Sequence, residues 1–117
     1  MNTARWIELN KALDDISSTL ITQYQPEKII LFGSMTNNEV ERWSDIDLVI
    51  IKDTPLPFLQ RLKEVALLCY APVGVDFLVY TPAEFDQMIT EQNPFILDEV
   101  IRKGTLLYER QPAPSMA

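Results

Sequence analysis

The run Asp45-Ile46-Asp47-Leu48-Val49-Ile50-Ile51-Lys52 constrains the fold of this chain more than any other segment. Four consecutive apolar residues, three of them β-branched, suit a central strand covered on both faces, so the chain must supply layers to either side of a sheet. On a strand, residues two apart share a face, which sets Asp45 and Asp47 side by side. Two like charges at the head of such a strand repel each other and lose hydration, and something must compensate them.

The rest of the chain provides the covering elements. Leu9, Leu13, Ile16, Leu20 and Tyr24 recur at steps of four and three, predicting a helix from about Thr3 to Gln23 that buries one stripe. Pro26 ends it, and Lys28–Phe32 is a short apolar run expected to form a strand leading into Gly33-Ser34. After the breaker Thr54-Pro55-Leu56-Pro57, the residues Phe58, Leu59, Leu62, Val65, Ala66 and Cys69 are expected to share one helical face, with Cys69 in the core. Gly74–Tyr80 reads as a third strand. Thr81-Pro82-Ala83-Glu84 spells a capping box with proline at the first helical position, and Asn93-Pro94 opens a further helix in the same way. Gly104 stands where a left-handed helix terminator is wanted, and Thr105–Tyr108 reads as a last strand. The order predicts an α/β (α+β) domain, a small mixed β-sheet backed by helices, over residues 1–110, with residues 111–117 as a disordered tail.

Composition narrows the partners. Among 117 residues there is one Cys and no His, which removes an internal disulfide and the usual zinc, haem and iron–sulfur sites. A net charge of −7 disfavours nucleic acid as a partner, because that affinity rests on Lys and Arg displacing counterions. No apolar run is long enough for a membrane span, and no basic-then-apolar signal opens the chain, so a cytoplasmic location is expected.

Asp76 repeats the anomaly of the first pair, a lone charge in the apolar run Val75–Tyr80. Taken singly, each aspartate could be a solvated turn residue or half of an ion pair. Together, carboxylates converging from two strands suit a hard divalent cation such as Mg²⁺, which takes oxygen ligands and shares them with substrate phosphates. Gly33-Ser34, at the end of the first strand, offers close backbone approach to a phosphate, a hydroxyl, and an N–H at the expected start of a helix.

Gly33-Ser34, ten residues, then Asp45-x-Asp47 with Ser44 just ahead of it, resembles the nucleotidyltransferase motif of the DNA polymerase β superfamily, and the chain is similar to its minimal nucleotidyltransferases. The resemblance runs from about Pro26 to Tyr108. It implies Mg²⁺-dependent transfer of a nucleoside monophosphate, AMP from ATP, to an acceptor hydroxyl. Asp45 and Asp47 would hold the metals, Asp76 would complete the site and assist deprotonation, and Gly33 and Ser34 would bind the triphosphate, with Ser44 beside them. Relatives carry a basic residue directly after the Gly-Ser, where this chain has Met35; Arg42 in the same loop could substitute. Such proteins resemble antitoxins whose partner is a small helical HEPN-domain protein, blocked by adenylylation. A non-catalytic binding module and a nucleotidyltransferase acting on a small molecule, which would have to be a homo-oligomer, are the competing readings.

Overall fold

The computed structural model describes residues 2–111. The expectation for the C-terminal tail falls, beyond Gln111, outside them. Four strands, β1 (Lys28–Phe32), β2 (Ile46–Ile51), β3 (Val75–Tyr80) and β4 (Thr105–Glu109), form one sheet in the order β3-β2-β1-β4. β1 runs antiparallel to both β2 and β4, while β3 lies parallel to β2, so the sheet is mixed as expected.

Strict alternation along β2 feeds two apolar layers. Ile46, Leu48 and Ile50 join Ile29 and Leu31 beneath Leu9, Leu13, Ile16 and Leu20 of helix α1 (Thr3–Thr19) and the turn after it, with Val65 of α2 (Phe58–Leu68). Val49, Ile51 and Ile30 pack on the other face with Phe85 of α3 (Pro82–Thr90) and Ile96 and Val100 of a π-helix, Phe95–Arg102. The α1 stripe is the predicted one. The regular helix, however, stops at Thr19 and widens into a π-turn, Leu20–Tyr24, closed by Gln25 in the left-handed region at φ 55°.

The local signals at helix starts are realised. Thr81 and Glu84 exchange side-chain-to-backbone hydrogen bonds at 3.2 and 2.8 Å, and Asn93 Oδ1 accepts the Ile96 N–H at 3.2 Å. Gly104 corrects an expectation: it is not left-handed, and its need for glycine is steric, since a Cβ there would overlap the Val100 carbonyl. Gln25 and Gln92 are the left-handed residues that follow helices.

The inward face of α2 also differs from the periodicity. Val65 and Cys69 are buried, but Leu59 and Ala66 point to solvent and Arg61 takes an inward position, only 6% exposed. Its guanidinium donates from Nε to the Leu56 carbonyl at 2.7 Å, from Nη1 to the Val79 carbonyl at 3.1 Å, and from Nη1 and Nη2 to the Glu84 carboxylate at 2.7 and 3.3 Å. Those acceptors come from three separate elements and set the rotation of the helix. Glu84 thereby caps α3 and joins it to α2 at once, and the Arg61 guanidinium, with the Thr81 N–H, holds its carboxyl below the usual range.

Candidate active site

The strand register builds the site. Phe32 pairs with Asp47 across β1 and β2, and Asp47 pairs with Asp76 across β2 and β3, so one row crosses the sheet at the end where β1 stops and the other two begin. Gly33 follows Phe32 directly, at φ +81°, a conformation open to glycine and costly for other residues. A Cβ there would overlap Asp47 Oδ2, so the glycine is required both by its backbone and by the carboxylate lying against it. Gly33→Ala is expected to cost about 2 kcal/mol in denaturant unfolding and to displace the Asp47 carboxylate.

Asp47 is half-buried, and its pKa is pushed up to about 6, first by burial, then by its hydrogen bond with Asp76 and by the charges of Asp76 and Asp45. Two carboxylates facing each other across neighbouring strands are a hard-oxygen donor set suited to a divalent cation. Asp45 stands apart. Its carboxylate is turned to Arg5, whose Nη2 donates to Oδ1 at 3.4 Å, and lies against Gly74. Among the described residues, no three carboxylate, Cys or His side chains are gathered closely enough for one ion. Mg²⁺ ligation by all three therefore requires Asp45 to turn.

The remaining expected residues are placed less directly. Ser34 lies in a single 3₁₀ turn, Gly33–Thr36, and not at the start of a longer helix; the turn is closed by Thr36 Oγ1 donating to the Gly33 carbonyl at 2.7 Å. Met35, at the position where relatives carry a phosphate-binding cation, is in the core. Ser44 is buried and its Oγ accepts the Glu41 N–H at 2.8 Å, which ties down the loop ahead of β2. Arg42 is exposed in that loop, as is Trp43 beside it.

Asp47 and Asp76 open into a cleft of about 580 Å³, otherwise walled by apolar side chains including Phe32, Leu62, Ala66, Phe77 and Phe95. Phe95 meets Phe32 edge-on at 5.4 Å, which seats the start of the π-helix over this end of the sheet. Neither Arg5 nor Phe95 carries a local sequence signal for the site, because each arrives through a tertiary contact.

Residues 14–113 match the model of the polymerase beta nucleotidyltransferase family. The chain belongs to that family. It is 35% identical, over 79 residues, to a Haemophilus influenzae protein described as the probable protein adenylyltransferase MntA, an alignment spanning 63% of this chain and 69% of that one. A crystal structure of a Sulfolobus solfataricus protein assigned as a nucleotidyltransferase shares the fold, with a TM-score of 0.66, 18% identity, and coverage of 92% of this chain and 86% of that one. A nucleotidyltransferase uses a nucleoside triphosphate, and in this member the row Gly33, Asp47, Asp76 lies at one open end of the polymerase β-type sheet. No helix of the described residues is long and apolar enough to cross a membrane.

Proposed function

We propose that this nucleotidyltransferase moves AMP from ATP onto a hydroxyl of a partner protein, in the cytoplasm. The observation that carries this reading is the Asp47 carboxylate held between Gly33 and Asp76 at the mouth of an apolar cleft. Asp45, Asp47 and Asp76 would hold Mg²⁺, which when bound neutralises triphosphate charge and steadies the leaving group. Gly33 and Ser34 would receive the phosphates on backbone N–H and hydroxyl, with Arg42 and Ser44 on the adjoining loop. Asp76 would take the proton of the acceptor hydroxyl as its oxygen attacks the α-phosphorus. The bond to the β-phosphate breaks and pyrophosphate departs. Most of the catalysis is then positioning and charge neutralisation, for which a small rigid sheet suffices.

A protein acceptor is supported by the cleft wall. Leu62 and Ala66 belong to both the cleft and α2, and Leu59 and Leu67 on the same helix, with Tyr70 just past its end, are 70, 88 and 93% exposed. A macromolecule presenting a hydroxyl to Asp76 would cover this surface, whereas a small acceptor would leave it to water. The relative's description as a protein adenylyltransferase supports the same choice, and a small helical HEPN-domain protein is the partner we assign on the family resemblance. Leu67→Glu combined with Tyr70→Ser is expected to leave the melting temperature and ATP binding unchanged and to cut transfer to the partner about tenfold, read as label on the partner band.

The test of the activity uses Mg²⁺ and ATP labelled at either the α- or the γ-phosphate, with the co-purified partner. Label from the α-position alone on protein supports nucleotidyl transfer. Label from the γ-position means a kinase, and none from either favours the second reading, a non-catalytic binding module, for which the buried Met35 in place of a phosphate cation is the supporting observation.

A further inference from the structure

Among the described residues, Arg5 is the one cation that ion-pairs with any of the three aspartates, reaching Asp45 alone, and it comes from the opposite end of the chain's first half. Asn2 caps α1, its Oδ1 accepting the Arg5 N–H at 2.9 Å, while the Asn2 N–H donates to the Val40 carbonyl at 2.7 Å. The first turn of α1 is thus pinned to the loop ahead of β2. From there the Arg5 side chain, 16% exposed, donates from Nε to the Ser44 carbonyl at 2.9 Å and from Nη2 to Asp45 Oδ1 at 3.4 Å. The shorter bond goes to backbone and anchors the guanidinium whatever Asp45 does. The longer one, to a half-exposed carboxylate, is the one that can open.

We propose that Arg5 is a positioning residue that keeps Asp45 out of the ligand set until a metal–nucleotide complex arrives; this rests on the nucleotidyl-transfer reading above. A bare divalent cation entering beside Asp47 and Asp76 meets the guanidinium charge and must compete with it for Asp45. A cation that arrives on a triphosphate carries net negative charge, so the same guanidinium attracts the complex instead of opposing it. The contact therefore selects the loaded nucleotide over the free ion. It also places a positive charge at a site whose expected cation after Gly33-Ser34 is replaced by the buried Met35.

The test compares binding of Mn²⁺ alone, and of Mn²⁺ with a non-hydrolysable ATP analogue, to the wild-type protein, Arg5→Gln and Arg5→Lys by calorimetry. Arg5→Gln is expected to bind the bare ion roughly fivefold tighter and the complex more weakly, while Arg5→Lys, which keeps the charge, stays near wild type. A purely structural role would weaken both ligands together, and bare-ion affinity that is unchanged or weaker in Arg5→Gln overturns the proposal. If that variant fails to fold, NMR of the Arg5 guanidinium in the wild-type protein decides: its Nη signals must shift when Mg²⁺ and the analogue saturate the site, and unmoved signals overturn the proposal. Intact α-phosphate transfer with unchanged ion affinity in Arg5→Gln removes this role of Arg5 and leaves the nucleotidyl-transfer reading standing.

Discussion

Asp47→Asn is expected to abolish transfer, by roughly 1,000-fold, and at the same time to make the protein more stable. The two effects share one cause. Burial and the neighbouring Asp76 and Asp45 raise the Asp47 pKa to about 6, so the ionised form is disfavoured in the fold relative to the unfolded chain. A carboxyl whose folded pKa is raised binds its proton more tightly when folded, and stability then falls as pH rises from the unfolded value near 4 to about 6. Above that window the full penalty is present. Because Asp47 is only half-buried, solvent screening reduces the nominal cost to about 1–2 kcal/mol. Removing the charge should raise the melting temperature at pH 7.5 by roughly 3–8 °C, with the gain shrinking to nothing near pH 4. Melting curves of both proteins across that range, without divalent cations, check the sign. Mg²⁺ with nucleotide should then stabilise the wild-type protein and leave the variant unmoved.

Arg61→Ala is expected to lower stability by about 3 kcal/mol. The guanidinium satisfies two backbone carbonyls, of Leu56 and Val79, and pairs with Glu84, whose carboxylate also caps α3. Its removal leaves the Val79 acceptor buried without a donor and frees the end of α2. Arg61→Lys should recover only part of the loss, since an ammonium cannot reach acceptors on three elements in the fixed geometry of a guanidinium. Urea unfolding gives the difference. The Glu84 share of this stability is present above the ordinary carboxylate range and is lost as pH falls through its lowered pKa. Acid therefore weakens the wild-type protein here and leaves Arg61→Ala little more to lose.

What could be read from the sequence was what rests on local chemistry. The alternation of Asp45–Lys52 marked the central strand and its carboxylates, the α1 stripe marked its own buried face, and Thr81, Glu84 and Asn93 announced the helix starts that the hydrogen bonds realise. The face of α2 was not legible, because its apolar residues lie on two sides and the choice between them is made by acceptors that Arg61 finds on other elements. Asp45 shows the same limit. Its partner Arg5 lies forty positions away, and only the docking of α1 on the loop ahead of β2 brings the two together. Ser44 stands beside the aspartates in sequence, yet its hydroxyl is engaged by the Glu41 N–H of its own loop. Gly33 was legible as a close-approach residue. That the group approaching it includes the Asp47 carboxylate follows only from the pairing of β1 with β2.

The most direct test of the central claim is a crystal structure of the protein with Mg²⁺ and a non-hydrolysable ATP analogue. The account predicts the triphosphate on the Gly33-Ser34 turn, metal held by Asp45, Asp47 and Asp76 with Asp45 turned away from Arg5, and an open cleft left between Asp76 and α2. An analogue bound elsewhere, or at this turn with the aspartates free of metal, would contradict it.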